Sequence, residues 1–213
     1  MASAGNAVVP DHALLKHKLT LLRDARTDSR LFRDLLEELT LLLAYEATRD
    51  LPLRPLEVDT PVARAHGYAL ARSMPALVPI LRAGLWMVGG VSRLLPGAPV
   101  GYLGMYRDPK TLEPVEYYCN LPPQLGARTC LVLDPMLATG GSAVAAARSI
   151  AARGCNDIKL LCLIAAPEGL ARLADAAPNV RVFAAAIDER LNDHGYIVPG
   201  LGDAGDRLAG TCD

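Results

Sequence analysis

The stretch from Thr129 to Gly154, TCLVLDPMLATGGSAVAAARSIAARG, limits the fold of this chain more than any other segment. An apolar run over residues 130–133, with polar residues on both sides, predicts a buried strand. A helix is predicted after it, because five apolar residues share one helical face: Ala143, Val144, Ala147, Ile150 and Ala151. Gly154 supplies the helix stop. A strand that turns directly into a helix is the unit from which parallel sheets are built.

The turn between this strand and helix, Asp134 to Ser142, has the residues to hold a phosphorylated ribose. The free N–H groups and positive dipole end of the helix favour an anion there, and Gly140 and Gly141 have no Cβ atoms to keep a phosphate away. Asp134 can accept hydrogen bonds from sugar hydroxyls. The turn lacks the Lys of a Walker A loop and the G-x-G-x-x-G pattern of dinucleotide sites. An ordinary strand–helix turn that contains glycine is the alternative.

Strand and helix patterns alternate along the rest of the 213 residues, which is the order of an α/β fold. We predict further strands over residues 56–60, 77–81, 99–106, 115–119, 158–164 and 180–184. Further helices are predicted over residues 30–48, 85–95 and 167–176. The expected architecture is a mainly parallel twisted sheet flanked by helices. No linker divides the chain, so we expect one domain over residues 1–213, with residues 1–10 as a flexible tail.

Arg82, Ala83 and Gly84 directly follow the predicted strand 77–81 and form a candidate second anion site. Ligands of parallel sheets bind beyond the carboxyl ends of the strands, so this turn and the one after Asp134 should meet on one rim. Arg82 can grip phosphate oxygens in a fork. Arg107 begins a polar loop that could close over a diphosphate. The alternatives for these two arginines are a surface Arg in a turn and a solvated hairpin tip.

The C-terminal segment HGYIVPGLGDAGDR, His194 to Arg207, combines four glycines and a proline with apolar residues. Glycine-rich termini are often disordered, but four side chains here favour burial: Tyr196, Ile197, Val198 and Leu201. A folded loop that presents backbone N–H and C=O groups is the better interpretation. Such groups can match the hydrogen-bonding edge of a planar ligand without polar side chains, and a ligand with the wrong edge would leave buried polar groups unpaired.

Together these motifs resemble the type I phosphoribosyltransferases, and in particular the uracil phosphoribosyltransferases. Asp134-Pro-Met-Leu-Ala-Thr-Gly-Gly-Ser-Ala143 is similar to the loop of that family that binds 5-phosphoribosyl 1-pyrophosphate (PRPP). Pro79 to Gly84 resembles its pyrophosphate loop, and Gly104 to Pro114 resembles the flexible loop whose Arg contacts pyrophosphate. Gly195 to Asp206 resembles its uracil-binding segment. The resemblance covers nearly the whole chain, from Asp11 to Gly210.

The resemblance implies an enzyme that transfers the phosphoribosyl group of PRPP to uracil and releases UMP and pyrophosphate, in pyrimidine salvage. It implies a type I fold with a small hood, formed by the irregular C-terminal segment, and an N-terminal helical arm. Mg²⁺ is the implied cofactor, held mainly through PRPP, with Asp203 as a further candidate ligand. The implied catalytic residues are Arg107 and Asp203. PRPP is assigned to Arg82, Ala83, Gly84, Arg107, Asp134, Pro135, Met136, Leu137, Ala138, Thr139, Gly140, Gly141, Ser142 and Asp203, and uracil to Tyr196, Ile197, Gly202, Asp203 and Ala204.

Two departures from the family pattern lie just after the pyrophosphate loop. Trp86 stands where a small residue is usual, and Gly89-Gly90 replaces an acid–Gly pair. They bear on the packing of the helix after Gly84 and remove no residue that is assigned to a ligand.

The composition limits which binding partners and which cellular compartment we expect for this protein. Lys and Arg total 22 against 23 Asp and Glu, which argues against a general nucleic-acid binder. No segment has the ~18 consecutive apolar residues of a membrane span, so we expect no membrane partner. The first ten residues lack the pattern of a signal peptide. The five cysteines show no C-x-x-C pair and no zinc spacing, as expected of reduced thiols in a cytoplasmic protein.

The family resemblance further implies a homodimer or homotetramer, and GTP as an allosteric activator, although no residue marks a GTP site. Two alternative functions stay open on the same fold. One is a phosphoribosyltransferase for another base. The other is a PRPP-binding regulator that binds RNA, which predicts a strongly basic face that the charge balance does not favour.

Overall fold

The computed structural model describes residues 2–4, 6–107 and 114–211. Its helices are α1 Ala13–Arg23, α2 Ser29–Ala47, α3 Val88–Leu94, α4 Gly141–Ala151, α5 Pro167–Ala176 and α6 Ala204–Ala209, with 3-10 helices at Ala83–Met87 and Leu125–Ala127. Its strands are β1 Ala2–Ala4, β2 Ala7–Val9, β3 Leu53–Asp59, β4 Arg64–Leu70, β5 Ala76–Leu81, β6 Tyr102–Arg107, β7 Pro114–Asn120, β8 Cys130–Leu133, β9 Met136–Leu137, β10 Ile158–Ala165, β11 Arg181–Ile187, β12 Arg190–Leu191 and β13 Ile197–Val198. Within this described part, no helix combines the length and apolar character needed to cross a membrane.

A nine-stranded sheet in the order β1-β2-β11-β10-β8-β5-β6-β7 organises the molecule, and β9 joins it beside β10. The pairings from β2 to β6 are parallel, whereas β1 and β7 pair antiparallel to their neighbours. The predicted α/β fold with a mainly parallel sheet is therefore confirmed. Because β9 continues beyond β8 on the same partner strand, the chain leaves the sheet between them only at Asp134 and Pro135.

Strand residues alternate between two hydrophobic layers. Leu131 and Leu133 of β8 belong to the layer built with α1, α2 and α3, whereas Cys130 and Val132 belong to the layer built with α4 and α5. The apolar runs that predict buried strands thus face helices on both sides, as in other parallel sheets. With both faces covered, a ligand reaches the sheet at its rim.

The N-terminal residues differ from the expected flexible tail. β2 pairs in parallel with β11, and Ala7 is buried against the second hydrophobic layer. Three residues are too few to show the alternation by which a strand is recognised in a sequence.

β3 and β4 form an antiparallel hairpin apart from the main sheet, where the sequence predicts only a strand over residues 56–60. Every residue of β3 is exposed, and β4 alternates between exposed and half-buried residues. Without a core on either face, β4 lacks the hydrophobic pattern that would reveal it.

The C-terminal segment forms a hood that is bonded to the N-terminal helices. Arg207 donates to the carbonyl oxygens of Leu22 (2.8 Å) and Asp24 (2.7 Å), and its guanidinium lies 4.4 Å from the centre of the Phe32 ring. Arg23 donates to the Asp188 carboxylate at 2.7 Å. The hood is less irregular than expected, because it contains β12, β13 and α6.

Candidate active site

A cavity of about 430 Å³ opens at the carboxyl ends of β5 and β8, which is the size range of small-molecule sites. The turn after β5 contributes Arg82 and Ala83, and the turn after β8 contributes Asp134, Pro135, Met136 and Ala138. The hood contributes Asp203, Ala204 and Gly205. The two predicted anion turns and the predicted base segment are thus brought together on one rim.

The turn after β8 leads into the N-terminus of α4 and encloses a smaller cavity of about 60 Å³, lined by Asp134 and residues 136–143. The N-cap residue of α4 is Gly140, with φ 78° and ψ −7°. Since glycine has no side chain to cap the first turn, the leading N–H groups of α4 are left for a ligand, as at other helix N-termini that hold phosphate.

The glycines of this turn also have a packing role that the sequence does not reveal. A Cβ on Gly140 would lie 2.8 Å from the carbonyl oxygen of Gly169, and a Cβ on Gly169 would lie 2.3 Å from that of Ala138. The two glycines therefore let the turn lie directly against α5.

Asp134 lines both the larger and the smaller cavity. Burial raises its pKa to about 7, and a hydrogen bond from the backbone N–H of Met136 (3.5 Å) opposes that rise. Its own backbone N–H donates to the carbonyl of Leu161 at 3.2 Å, so its position is set by the sheet. A half-buried carboxylate beside a phosphate-sized cavity can accept hydrogen bonds from two adjacent hydroxyls.

Arg82 is the N-cap residue of the 3-10 helix Ala83–Met87, and the peptide bond between Leu81 and Arg82 is cis. Behind it, a Cβ on Gly84 would lie 2.1 Å from the carbonyl oxygen of Leu133. Gly84 is thus needed where the turn after β5 meets the end of β8, rather than only for the approach of a ligand. This contact holds Arg82 and Asp134 on neighbouring turns.

The hood places its predicted base residues in two settings. Ala204 and Asp203 line the cavity, and the Asp203 side chain caps α6 by accepting the N–H of Asp206 at 3.0 Å. Among the described residues, the cavity lining does not include Tyr196, Ile197 or Gly202. Ile197 is buried in the core and Tyr196 is 46% exposed. The assignment of the base to backbone groups at these three positions stays a prediction.

The edge strand β7 and its neighbour β6 contribute residues that the sequence analysis does not single out: Met105, Tyr106 and Tyr117. Tyr106 ends a predicted strand directly before the polar loop, which is a signal for it, whereas no sequence pattern distinguishes Tyr117. Residues 108–113 of the predicted flexible loop, and the side chain of Arg107, lie outside the described residues.

The relationship to known proteins agrees with this geometry. A family model described as uracil phosphoribosyltransferase matches residues 9–211. The chain belongs to the uracil phosphoribosyltransferase family. A uracil phosphoribosyltransferase of Symbiobacterium thermophilum is 59% identical over 204 residues, which are 96% of this chain and 98% of the relative. One from Geobacillus kaustophilus is 55% identical over 207 residues, which are 97% and 99% of the two chains.

Solved structures extend the likeness to the fold. A protein from Aquifex aeolicus superposes with a TM-score of 0.90 at 43% identity and covers 95% of this chain and 97% of its own. An adenine phosphoribosyl transferase from Trypanosoma brucei, solved with AMP, pyrophosphate and ribose-5-phosphate, has a TM-score of 0.61 at 12% identity. It covers 95% of this chain and 92% of its own, and at that identity it shows the fold alone. The expected type I phosphoribosyltransferase fold is confirmed.

Both departures from the uracil phosphoribosyltransferase pattern lie against α2. Gly89 stands in place of the acid, and a Cβ there would lie 2.8 Å from a carboxylate oxygen of Glu37, so an acidic side chain would meet a like charge. Trp86 lies under the guanidinium of Arg33, 5.0 Å from its ring centre. Arg33 in turn donates to the Leu208 carbonyl at 2.8 Å, so Arg33 connects the turn after β5 to the hood.

Two carboxylates in the cavity lining are groups of the kind that bind Mg²⁺. Within the described residues there is no cluster of three His, Cys, Asp or Glu side chains that could hold a metal ion. Asp134 and Asp203 both line the cavity, however. Mg²⁺ usually keeps several waters and binds one or two carboxylates together with substrate phosphates.

Proposed function

We propose that this protein transfers the phosphoribosyl group of PRPP to uracil, giving UMP and pyrophosphate, in pyrimidine salvage. The observation that carries the proposal is the single cavity lined by Arg82, Asp134 and Asp203 in a chain of the uracil phosphoribosyltransferase family. PRPP has a phosphate at one end, a diphosphate at the other and hydroxyls between them. A cation, a carboxylate and a helix N-terminus at one rim are complementary to those three parts.

The proposed roles follow from this match. The backbone from Ala138 to Ser142 holds the 5-phosphate at the N-terminus of α4. Asp134 accepts hydrogen bonds from the ribose hydroxyls and so fixes the position of the sugar. Arg82 and Arg107 grip the pyrophosphate. When bound, Mg²⁺ neutralises part of the charge on the pyrophosphate, and Asp203 is the carboxylate proposed to meet it.

The reaction breaks the bond between the anomeric carbon and the pyrophosphate oxygen, and the bonding electrons leave with pyrophosphate. The sugar carbon becomes positively charged, as in glycoside chemistry. The uracil ring nitrogen forms the new bond from the opposite face and loses its proton, so the anomeric carbon is inverted. No covalent enzyme intermediate is required. Catalysis then rests on positioning and on stabilisation of the leaving group.

Uracil selection is proposed to come from backbone groups of the hood, at Ile197, Gly202 and Ala204, beside the Tyr196 and Asp203 positions. A fixed N–H donor can pair with a carbonyl at position 4 of the base but not with the amine of cytosine. The mismatch leaves a buried polar group unpaired, which costs about 1–3 kcal/mol.

Initial rates with uracil, cytosine, hypoxanthine and adenine, each with PRPP and Mg²⁺, test this function. We expect nucleotide formation with uracil, with cytosine slower by at least about tenfold, the factor for one unpaired group. A higher rate with a purine base would contradict the uracil assignment. Salt-sensitive RNA binding without UMP formation would instead support the regulatory alternative.

We also infer that the protein is a homo-oligomer, at least a homodimer, in which the β3–β4 hairpin is covered by a second copy. Two-stranded hairpins are at best marginally stable alone in water. This hairpin exposes Leu53, Leu56, Val58, Val62 and Tyr68 by 38% or more each. Its two faces measure about 24 Å by 10 Å each. Each copy would bury both faces of its own hairpin and also the surface that the hairpin of its partner covers. The sum of these areas is comparable to the ~800 Å² per partner of a standard interface.

GTP as an allosteric activator is a proposal supported by the family resemblance alone. Rates of UMP formation with and without GTP test it, and an unchanged rate at all PRPP concentrations would contradict it. A cytoplasmic location is likewise proposed. It is supported by the free thiols of the four described cysteines, Cys119, Cys130, Cys155 and Cys162, since reducing compartments keep thiols unpaired.

A further inference from the structure

Two tyrosines, one on the edge strand β7 and one on its neighbour β6, lie together at the cavity. Tyr106 of β6 and Tyr117 of β7 both line it, and their ring centres lie 6.3 Å apart with the planes tilted by 38°. Both rings are also half exposed, at 50% and 56%. Large aromatic side chains that stay exposed beside polar ligand groups are suited to be covered by a ligand.

A β-bulge and a glycine put the two rings on the same side of the β6–β7 pair. Gly104 pairs with Tyr118 and Met105 pairs with Glu116, so Tyr117 is an extra residue on β7. Bulges of this kind redirect a side chain and occur often beside active sites. A Cβ on Gly104 would lie 2.6 Å from the Tyr117 ring. The ring therefore lies directly over the Gly104 backbone, and a side chain at residue 104 would displace it from this position.

The remaining lining residues show what this pair would cover. The same cavity is lined by Arg82, Asp134 and Asp203. Their proposed partners are, in that order, the pyrophosphate of PRPP, its ribose and the metal-bound PRPP. The anomeric carbon of PRPP joins the first two of these ligand parts. On that proposed function, the tyrosine rings bound the space in which the glycosidic bond breaks.

We propose that Tyr106 and Tyr117 form an aromatic wall that selects uracil over water as the acceptor of the phosphoribosyl group. Water that reaches the activated sugar carbon forms ribose-5-phosphate and pyrophosphate. The bond from carbon to the pyrophosphate oxygen breaks, the water oxygen bonds to the carbon, and a proton is released. Aromatic rings that lie against a bound ligand exclude water from the reacting carbon and suppress such side reactions. The ring faces carry this role, and the phenol hydroxyls are not required for it.

The test compares PRPP hydrolysis without uracil with UMP formation in its presence. We expect Tyr106→Ala and Tyr117→Ala to raise the ratio of hydrolysis to transfer by about tenfold, the factor for loss of one aromatic contact. Tyr106→Phe and Tyr117→Phe keep the rings and should keep the wild-type ratio. Tyr118→Ala is the matched control, because Tyr118 is equally exposed on β7 and accepts a hydrogen bond from Asn120 (3.4 Å) away from the cavity lining.

Each result bears on the wall separately from the overall function. A wild-type enzyme that forms UMP, with an unchanged ratio in both Ala variants, would overturn the wall and leave the function in place. If the Phe variants had the same raised ratio of hydrolysis to transfer as the Ala variants, the effect would belong to the hydroxyl groups. That result would also overturn the proposed aromatic wall. If an Ala variant melts below the assay temperature, Tyr→Leu at the same position supplies bulk without a ring and should still raise the ratio.

Discussion

At the scale of single residues, the protonation of the Asp134 carboxyl group affects the stability of the folded protein, and the same carboxyl group is proposed to bind the ligand. Its pKa of about 7 in the folded protein lies above the ordinary value of 3.8. The folded state thus binds this proton more tightly than the unfolded chain does. The contribution of Asp134 to stability therefore falls as the pH rises from about 4 to about 7, and it stays constant above that range.

Asp134→Asn removes this dependence on pH. We expect the variant to melt at a higher temperature than the wild type at about pH 8, with the difference shrinking toward about pH 4. Loss of a charged acceptor for the ribose hydroxyls should lower kcat/KM about 10- to 100-fold. Thermal melts across this pH range and initial rates measure the two effects. A variant that is no more stable at high pH would show that the carboxyl group is well solvated.

Gly84 is predicted to tolerate no side chain. Gly84→Ala places a methyl group 2.1 Å from the Leu133 carbonyl oxygen, so the turn or the end of β8 must move. Overpacking of this kind costs about 1–3 kcal/mol, and the shift of Arg82 should raise the KM for PRPP. Gly97→Ala is the control, because its Cβ would meet open space although its φ is 84°. The control should lose some stability and keep its KM, and equal KM values for the two variants would refute the positioning role.

At the scale of elements, α6 depends on a residue that also lines the cavity. Asp203 caps α6 through the N–H of Asp206, and a carboxylate, an amide or a hydroxyl can all make that bond. Asp203→Asn should keep the melting temperature while it lowers activity. Asp203→Ala should lose about 0.5–2 kcal/mol of stability as well. Denaturant unfolding and UMP formation separate these effects, and full activity in Asp203→Asn would limit Asp203 to a structural role.

The elements also show what can be predicted from a sequence of this kind. β8 and α5 occur at the residues that the sequence pattern indicates, because β8 is buried throughout and α5 buries one face at Gly169 and Leu173. β4 and α6 were missed, the first because it has no buried face and the second because six residues are too short for a helical pattern.

The same limit applies inside the candidate site. Arg82 and Asp134 are singled out by the turns in which they stand, and Asp203 by the family resemblance, and all three line the cavity. Tyr117 could not be recognised, since its direction depends on a bulge and on the missing Cβ of Gly104 on the neighbouring strand. The packing roles of Gly84 and Gly140 likewise depend on residues distant in the sequence.

At the scale of the whole molecule, the exposed β3–β4 hairpin predicts self-association. Sedimentation should give a mass at least twice the 22.6 kDa of one chain. Leu56→Arg combined with Val58→Arg should shift the protein toward monomer, since a buried interface disfavours unpaired charge. Leu14→Arg, at a comparably exposed leucine of α1, is the control and should leave the mass unchanged. A wild-type protein that stays monomeric at micromolar concentration would contradict this prediction.

The central claim is that three distant segments form one site for PRPP and uracil. A crystal structure with the product UMP tests it most directly. We predict the phosphate on the backbone of residues 138–142, the ribose hydroxyls on Asp134, and the base against Ala204 in the hood. UMP bound elsewhere, or with its base turned away from Ala204, would contradict the account.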